Sequence, residues 1–65
     1  MIKCYLSIIM GEKRLKISEV AKATRINRGT ISRLYHETAT RVDLEVIDQL
    51  CDYLDVKLDD LFEKI

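Results

Sequence analysis

Two arginines five positions apart, Arg28 and Arg33, stand in the stretch TRINRGTISRLYHE together with Arg25, Thr30, Ser32 and His36. A guanidinium is a planar, permanently charged fork of donors. It pairs with two acceptors held side by side, such as phosphate oxygens or the N7 and O6 atoms of guanine. Glu37 is the only carboxylate in the stretch. The residue types therefore suit recognition rather than bond breaking. The chain has one histidine and no Ser/His/Asp or Cys/His set that a small fold would gather. It has no glycine-rich phosphate loop and no HExxH pattern. Asp59 and Asp60 are adjacent on a short helical segment, so they point apart and make a poor acid/base pair. His36, Cys4 and Cys51 match no zinc spacing. No catalytic residue, metal or cofactor is expected.

Sixty-five residues make one domain, residues 1–65. Proline is absent and glycine occurs twice, which favours a compact helical chain over a linker or a disordered tail. No apolar run approaches the roughly 20 residues of a membrane span. The opening MIKCYLSIIMGEKR is too short and too weakly cleavable for a secretory signal. Cys4 and Cys51 lie in apolar stretches and read as reduced core residues of a cytoplasmic protein. A chain this short leaves no room for a separate ligand domain, so no small-molecule substrate is expected. The formal net charge is zero, yet the halves differ: residues 1–42 hold nine Lys/Arg and three acids, and residues 43–65 hold two Lys and eight acids. The halves therefore carry +6 and −6. A basic face on a neutral protein points to an anionic partner on one side. Attraction between the halves during folding is the plainer alternative.

Apolar spacing predicts five helices, over residues 5–13, 17–24, 28–36, 44–54 and 58–64. Their inward residues are Leu6, Ile9 and Met10; Ile17, Val20 and Ala21; Ile31 and Leu34; Ile47, Leu50, Cys51 and Leu54; and Leu61, Phe62 and Ile65. Asn27 and Asp43 are placed to cap the third and fourth helices. Met1 to Cys4 alternates weakly and also fits an extended strand. Residues 36–43, HETATRVD, form the one clear loop. The expected fold class is all-α, a compact five-helix bundle.

The second and third helices are joined by only Arg25, Ile26 and Asn27, so they must cross steeply in a helix-turn-helix spanning about residues 17–36. Ala21 allows close packing, and Ile26 can plug the space between them. With Ile31 and Leu34 inward, the helical period turns Arg28, Gly29, Ser32, Arg33 and His36 outward. That face carries cations and a hydroxyl but no carboxylate. A helix of this kind fits the DNA major groove, and cations on its flanks neutralise phosphates.

The segment LKISEVAKATRINRGTISRLYHETATRVDLEVIDQLCDYLDVKLDDLF, residues 15–62, resembles the phage-repressor-like helix-turn-helix domain of the Xre or Cro type. It looks closest to the short single-domain bacterial regulators of that type. Its most specific pieces are EVAKATRINRGTISRL and VDLEVIDQLCDYLDVKLDDLF. The resemblance implies a lambda-repressor-like five-helix fold and a DNA-binding transcriptional regulator. Such regulators usually act as dimers on a two-fold-related operator of double-stranded DNA. Carried onto this chain, the base-contacting positions are Asn27, Arg28, Gly29, Thr30, Ser32 and Arg33. The phosphate-contacting positions are Arg14, Lys16, Lys22, Arg25, His36, Thr38, Thr40 and Arg41. Apolar residues left over for a dimer surface are Val56, Leu58, Phe62, Ile65 and Ile2.

Three positions depart from the family pattern. Arg25 stands at the turn where the family usually has a left-handed glycine. Either the turn differs, or Arg25 carries modest strain and brings its charge to a phosphate. Lys16 and Ile17 replace a Ser-Gln pair whose Gln clamps a phosphate. Gly29 stands where many relatives have a side chain; it leaves a base unread or lets the helix approach closely. The alternative function is that of an antitoxin-like protein-interaction module on the same fold, binding through its acidic half.

Overall fold

The computed structural model describes all residues, Met1–Ile65. The chain runs β1 (Ile2–Cys4), α1 (Leu6–Glu12), α2 (Ile17–Thr24), α3 (Arg28–Tyr35), α4 (Leu44–Leu54), α5 (Leu58–Leu61) and β2 (Phe62–Lys64). The expected all-α class is therefore corrected. Five helices are present, but a short antiparallel sheet pairs Ile2 with Lys64, Lys3 with Glu63 and Cys4 with Phe62. The fifth helix stops at Leu61 rather than running on to residue 64. Phe62 has φ −129° and ψ 148°, which is extended backbone. The spacing of Leu61, Phe62 and Ile65 fits a helix as well as a strand. Pairing with β1 decides between them by giving the backbone of the last residues partners on another strand. Met1 and Ile65 close the ladder, with the Ile65 N–H 2.8 Å from the Met1 carbonyl. Ile65 consequently leaves the core and is exposed.

The core sits where α1 to α5 converge. Leu6, Met10, Val20, Ile31 and Leu50 are completely buried, as is Leu61, with Leu54 nearly so. Each buried aliphatic side chain contributes roughly 1.5–3 kcal/mol. The helix period explains which residues enter. Along α4, Leu50 and Leu54 are one turn apart and fully inside, while Ile47 and Cys51 flank them half-buried. Ile26 is buried between α2 and α3, as its place in the short turn predicts. Burial pushes the Cys4 thiol pKa up, so it stays protonated, and both cysteines are free.

Four helices end in left-handed residues, none of them glycine: Arg14, Arg25, Glu37 and Asp55, with φ between 56° and 61°. After α1, α3 and α4 the chain closes in the same way. Leu15, Thr38 and Val56 donate to the carbonyls of Met10, Arg33 and Cys51 at 2.9, 2.9 and 3.0 Å. These Schellman closures satisfy carbonyls that a helix end leaves open. A non-glycine residue there costs roughly 1–2 kcal/mol of backbone energy. Conversely, Gly11 lies inside α1, and a Cβ on it would meet nothing within 4 Å. Gly11→Ala should stabilise the fold by about 0.5–1 kcal/mol, read as a higher thermal unfolding midpoint.

Candidate nucleic-acid interface

The three residues Arg25, Ile26 and Asn27 join α2 to α3. The joint is built locally. Arg25 takes φ 61° and ψ 19°, and its N–H donates to the Ala21 carbonyl at 2.9 Å. Of the two outcomes left open for Arg25, the left-handed turn with an arginine in it is the one adopted. Thr24 Oγ1 donates to the Val20 carbonyl at 2.7 Å and accepts the Ile26 N–H at 3.3 Å. Asn27 then caps α3, its Oδ1 accepting the Gly29 N–H at 2.8 Å. Asp43 occupies the matching position before α4, but its side chain makes no cap bond. At the start of α2, the Glu19 carboxylate accepts the Lys16 N–H at 3.0 Å. Lys16 cannot itself accept such a bond, so its ammonium stays free in solvent.

The outward face of α3 is arranged as follows. Arg28, Arg33, Asn27 and His36 are exposed, and Gly29, Thr30 and Ser32 are half-buried. Arg33 folds back toward the helix start, with Nη2 donating to Thr30 Oγ1 at 3.4 Å. Arg28 lies with Lys16, Ser18, Tyr35 and His36 around a shallow groove between α3 and the start of α2. The Tyr35 and His36 rings meet edge to face, their centroids 5.0 Å apart. Thr40 and Arg41 line a second groove beside Leu34, Glu37 and the β1–β2 sheet. Thr38 is exposed and held against the end of α3 through the Arg33 carbonyl. Arg14, Lys22 and Arg25 are exposed, on the ends of α1 and α2 and on the outside of α2. The fold thus gathers Lys16, Arg28 and His36 in one place, and Thr40 and Arg41 in another. Lys22 and Arg14 line neither groove.

Ser18 shares the first groove with Lys16 and Arg28, which sequence reasoning did not foresee, and Tyr35, for which packing against the loop and a phosphate contact were both open, lines it as well. The position of Ser18 in the first turn of α2, two residues after Lys16, was the available signal. Glu37 has a separate task. Its carboxylate accepts the Cys4 N–H at 3.2 Å and pairs with Lys3 Nζ at 3.2 Å, tying the end of α3 to β1. That is the one ion pair in the chain. Every other lysine and arginine lacks a carboxylate partner, so the charges of Arg25, Arg28, Arg33, Arg41, Lys16 and Lys22 are uncompensated within 4.0 Å.

The Cys4 N–H, and then Lys3, hold the Glu37 carboxyl below its ordinary value of 4.5. A depressed carboxylate stabilises the fold above its unfolded pKa, and that contribution fades as pH falls through the folded value. Glu37→Gln should therefore lower stability at neutral pH and narrow the gap from wild type below pH 4.5, as measured by urea unfolding across that window.

Three further features bear on partners. Ile2, Val42, Ile47, Leu58 and Phe62 line an apolar groove rimmed by Asp59, Glu63 and Lys64. Of the residues expected at a dimer surface, Ile2, Leu58 and Phe62 meet in it, whereas Val56 and Ile65 do not line it. No helix is long and apolar enough to cross a membrane. No curated protein matches the chain. A family model does: that of the Cro/C1-type HTH DNA-binding domain matches residues 5–65. The chain belongs to this family, and it is a DNA-binding domain with DNA as its partner.

Proposed function

We propose that the protein is a sequence-specific transcriptional regulator, most simply a repressor, and that residues 1–65 act as one helix-turn-helix domain. In this reading α2 and α3 are the two helices of the motif, and α3 enters the major groove. Arg28 and Arg33 read guanine edges, with Thr30 and Ser32 touching base or phosphate. Arg14, Lys16, Lys22, Arg25, His36, Thr38, Thr40 and Arg41 hold the phosphates. A single module of this size binds weakly, so two copies about one helical turn apart form the working unit. The groove of Ile2, Leu58 and Phe62 is the surface proposed to join them. The observation that carries the reading is the row of unpaired cations on and around α3 in a chain of zero net charge. DNA phosphates supply the anionic partner that these cations lack within the chain.

The test is a fluorescence-anisotropy titration against the DNA upstream of the protein's own gene and against a scrambled duplex, each at two salt concentrations. The regulator reading requires much tighter binding to the upstream DNA and a steep fall with salt. No binding at low salt would move the search to the antitoxin-like reading, in which the apolar groove and the acidic half seat a protein partner. Arg25→Gly gives a second check with opposite signs. Glycine relieves the left-handed strain, so stability should rise by about 0.5–1 kcal/mol. Losing the cation should weaken DNA binding and reduce the salt slope by about 1.

A further inference from the structure

The groove beside Leu34 and the β1–β2 sheet encloses about 220 Å³. The end of α3, the loop that follows it and the sheet form its sides. Its lining is mostly apolar. Cys4 and Leu34 are buried, and Ala39, Val42 and Phe62 are half-buried. An apolar cavity of about 150 Å³ is large enough to bind benzene. This one therefore has room for a ring or a short aliphatic chain, with a head group at its mouth. The polar residues on it are Glu37, Thr40 and Arg41, and the two charges among them differ. Both oxygens of Glu37 are committed, one to the Cys4 N–H and the other to Lys3 Nζ, each at 3.2 Å. Arg41 is exposed and makes no ion pair. Its guanidinium is a fork of donors that matches a carboxylate. The groove thus sets an apolar recess beside one unclaimed cation.

We propose that this groove is an effector site for a small amphipathic carboxylate, whose apolar body fills the recess among Leu34, Val42 and Phe62 and whose head group pairs with Arg41. A bare inorganic anion would leave the apolar lining in contact with water. An uncharged hydrocarbon would leave Arg41 without a partner. The consequence for DNA rests on the function proposed above, in which Arg41 holds a phosphate. A carboxylate on Arg41 neutralises the charge that the phosphate uses. Ligand and DNA then bind antagonistically, and by linkage each weakens the other by the same factor. The site lies within the DNA-binding domain itself, so the antagonism needs neither a second domain nor a change of shape.

The experiment titrates the full chain with sodium benzoate, with sodium chloride holding the ionic strength constant. Amide NMR shifts report the site, and anisotropy on the upstream duplex reports DNA binding. Benzoate should shift the amides of Cys4, Leu34 and Val42 to saturation, with a dissociation constant on the order of 1 mM for a ligand of its size. Acetate has the charge without the body, and benzyl alcohol has the body without the charge. Each should bind more weakly than benzoate by roughly threefold or more. Arg41→Gln should lower benzoate affinity roughly threefold to tenfold and leave benzyl alcohol unchanged. Saturating benzoate should weaken wild-type DNA binding by roughly fivefold and lower the salt slope by about 1. It should do neither to Arg41→Gln. No saturable shift at the groove, or equal shifts with acetate, would overturn the site. Benzoate that binds while DNA affinity and salt slope stay as they were would overturn the effector role and leave the regulator function standing. If wild type binds no DNA at all, the proposed function falls with the effector role, and the NMR titration alone decides the site. Should Arg41→Gln fail to fold, Ala39→Leu, which fills the groove, takes its place and must abolish the benzoate shifts and the benzoate effect on DNA.

Discussion

Replacing Arg28 and Arg33 together with alanine will collapse the difference between specific and scrambled DNA. Each bidentate guanidinium contact to guanine discriminates by about 1–3 kcal/mol. Two such contacts amount to about 2–6 kcal/mol, or roughly 30-fold to 10⁴-fold in the affinity ratio. Both arginines are exposed and neither is in an ion pair, so folding should change by no more than about 0.5 kcal/mol. The loss then reports on recognition and not on stability. Lys22→Ala makes the contrast. A phosphate contact, the role proposed for Lys22, carries no sequence information, so its removal should weaken both duplexes alike and lower the salt slope by about 1. Anisotropy titrations on the two duplexes measure all of this. A double variant that keeps its preference for the specific duplex would show that the readers are other residues.

Leu50→Ala should have the largest effect on the fold. Leu50 is completely buried in α4, in the core cluster shared with α2 and α5. Truncating such a residue costs about 2–5 kcal/mol, through lost transfer energy and the cavity left behind. A domain of this length holds on the order of 3–10 kcal/mol in all. The variant should therefore be substantially unfolded near physiological temperature, with its urea midpoint shifted far down. Leu44→Ala in the first turn of the same helix is the control. Leu44 is 82% exposed, so its truncation should fall within about 0.5 kcal/mol of wild type. Equal midpoints for the two variants would mean that the core does not sit where α4 places it. The comparison also separates folding from binding, because neither leucine lies on the outward face of α3.

Helices α1 to α4 were legible from spacing, because the apolar residues of each recur at three- and four-residue steps rather than alternating. The Asn27 cap was legible for a local reason: the residue type and the following helix are adjacent in the chain. Asp43 shows where that reasoning stops. It holds the cap position of α4, yet its side chain makes no cap bond. Position is set by the local backbone, but the rotamer answers to everything else around it. The end of the chain went further astray. Leu61, Phe62 and Ile65 fit a helix, and the residues that turn them into a strand are Ile2 to Cys4, some sixty positions away.

The candidate interface divides along the same line. The sequence by itself determined the three-residue spacing between α2 and α3, the run of cations from Lys16 to Arg41, and the outward side of α3 on which Arg28 and Arg33 stand. These follow from residue type and a period of 3.6, and neither needs a distant partner. Only the tertiary structure decided that Lys16, Arg28 and His36 share a groove, because that groove lies between two elements. It alone turned Glu37 away from the cations of α3 to bind Lys3 and the Cys4 N–H. It alone set Arg41 beside the apolar recess of Leu34, Val42 and Phe62. Periodicity assigns a residue to a face. Which residues meet across faces depends on contacts between segments far apart in the chain, and those are formed only when the core closes.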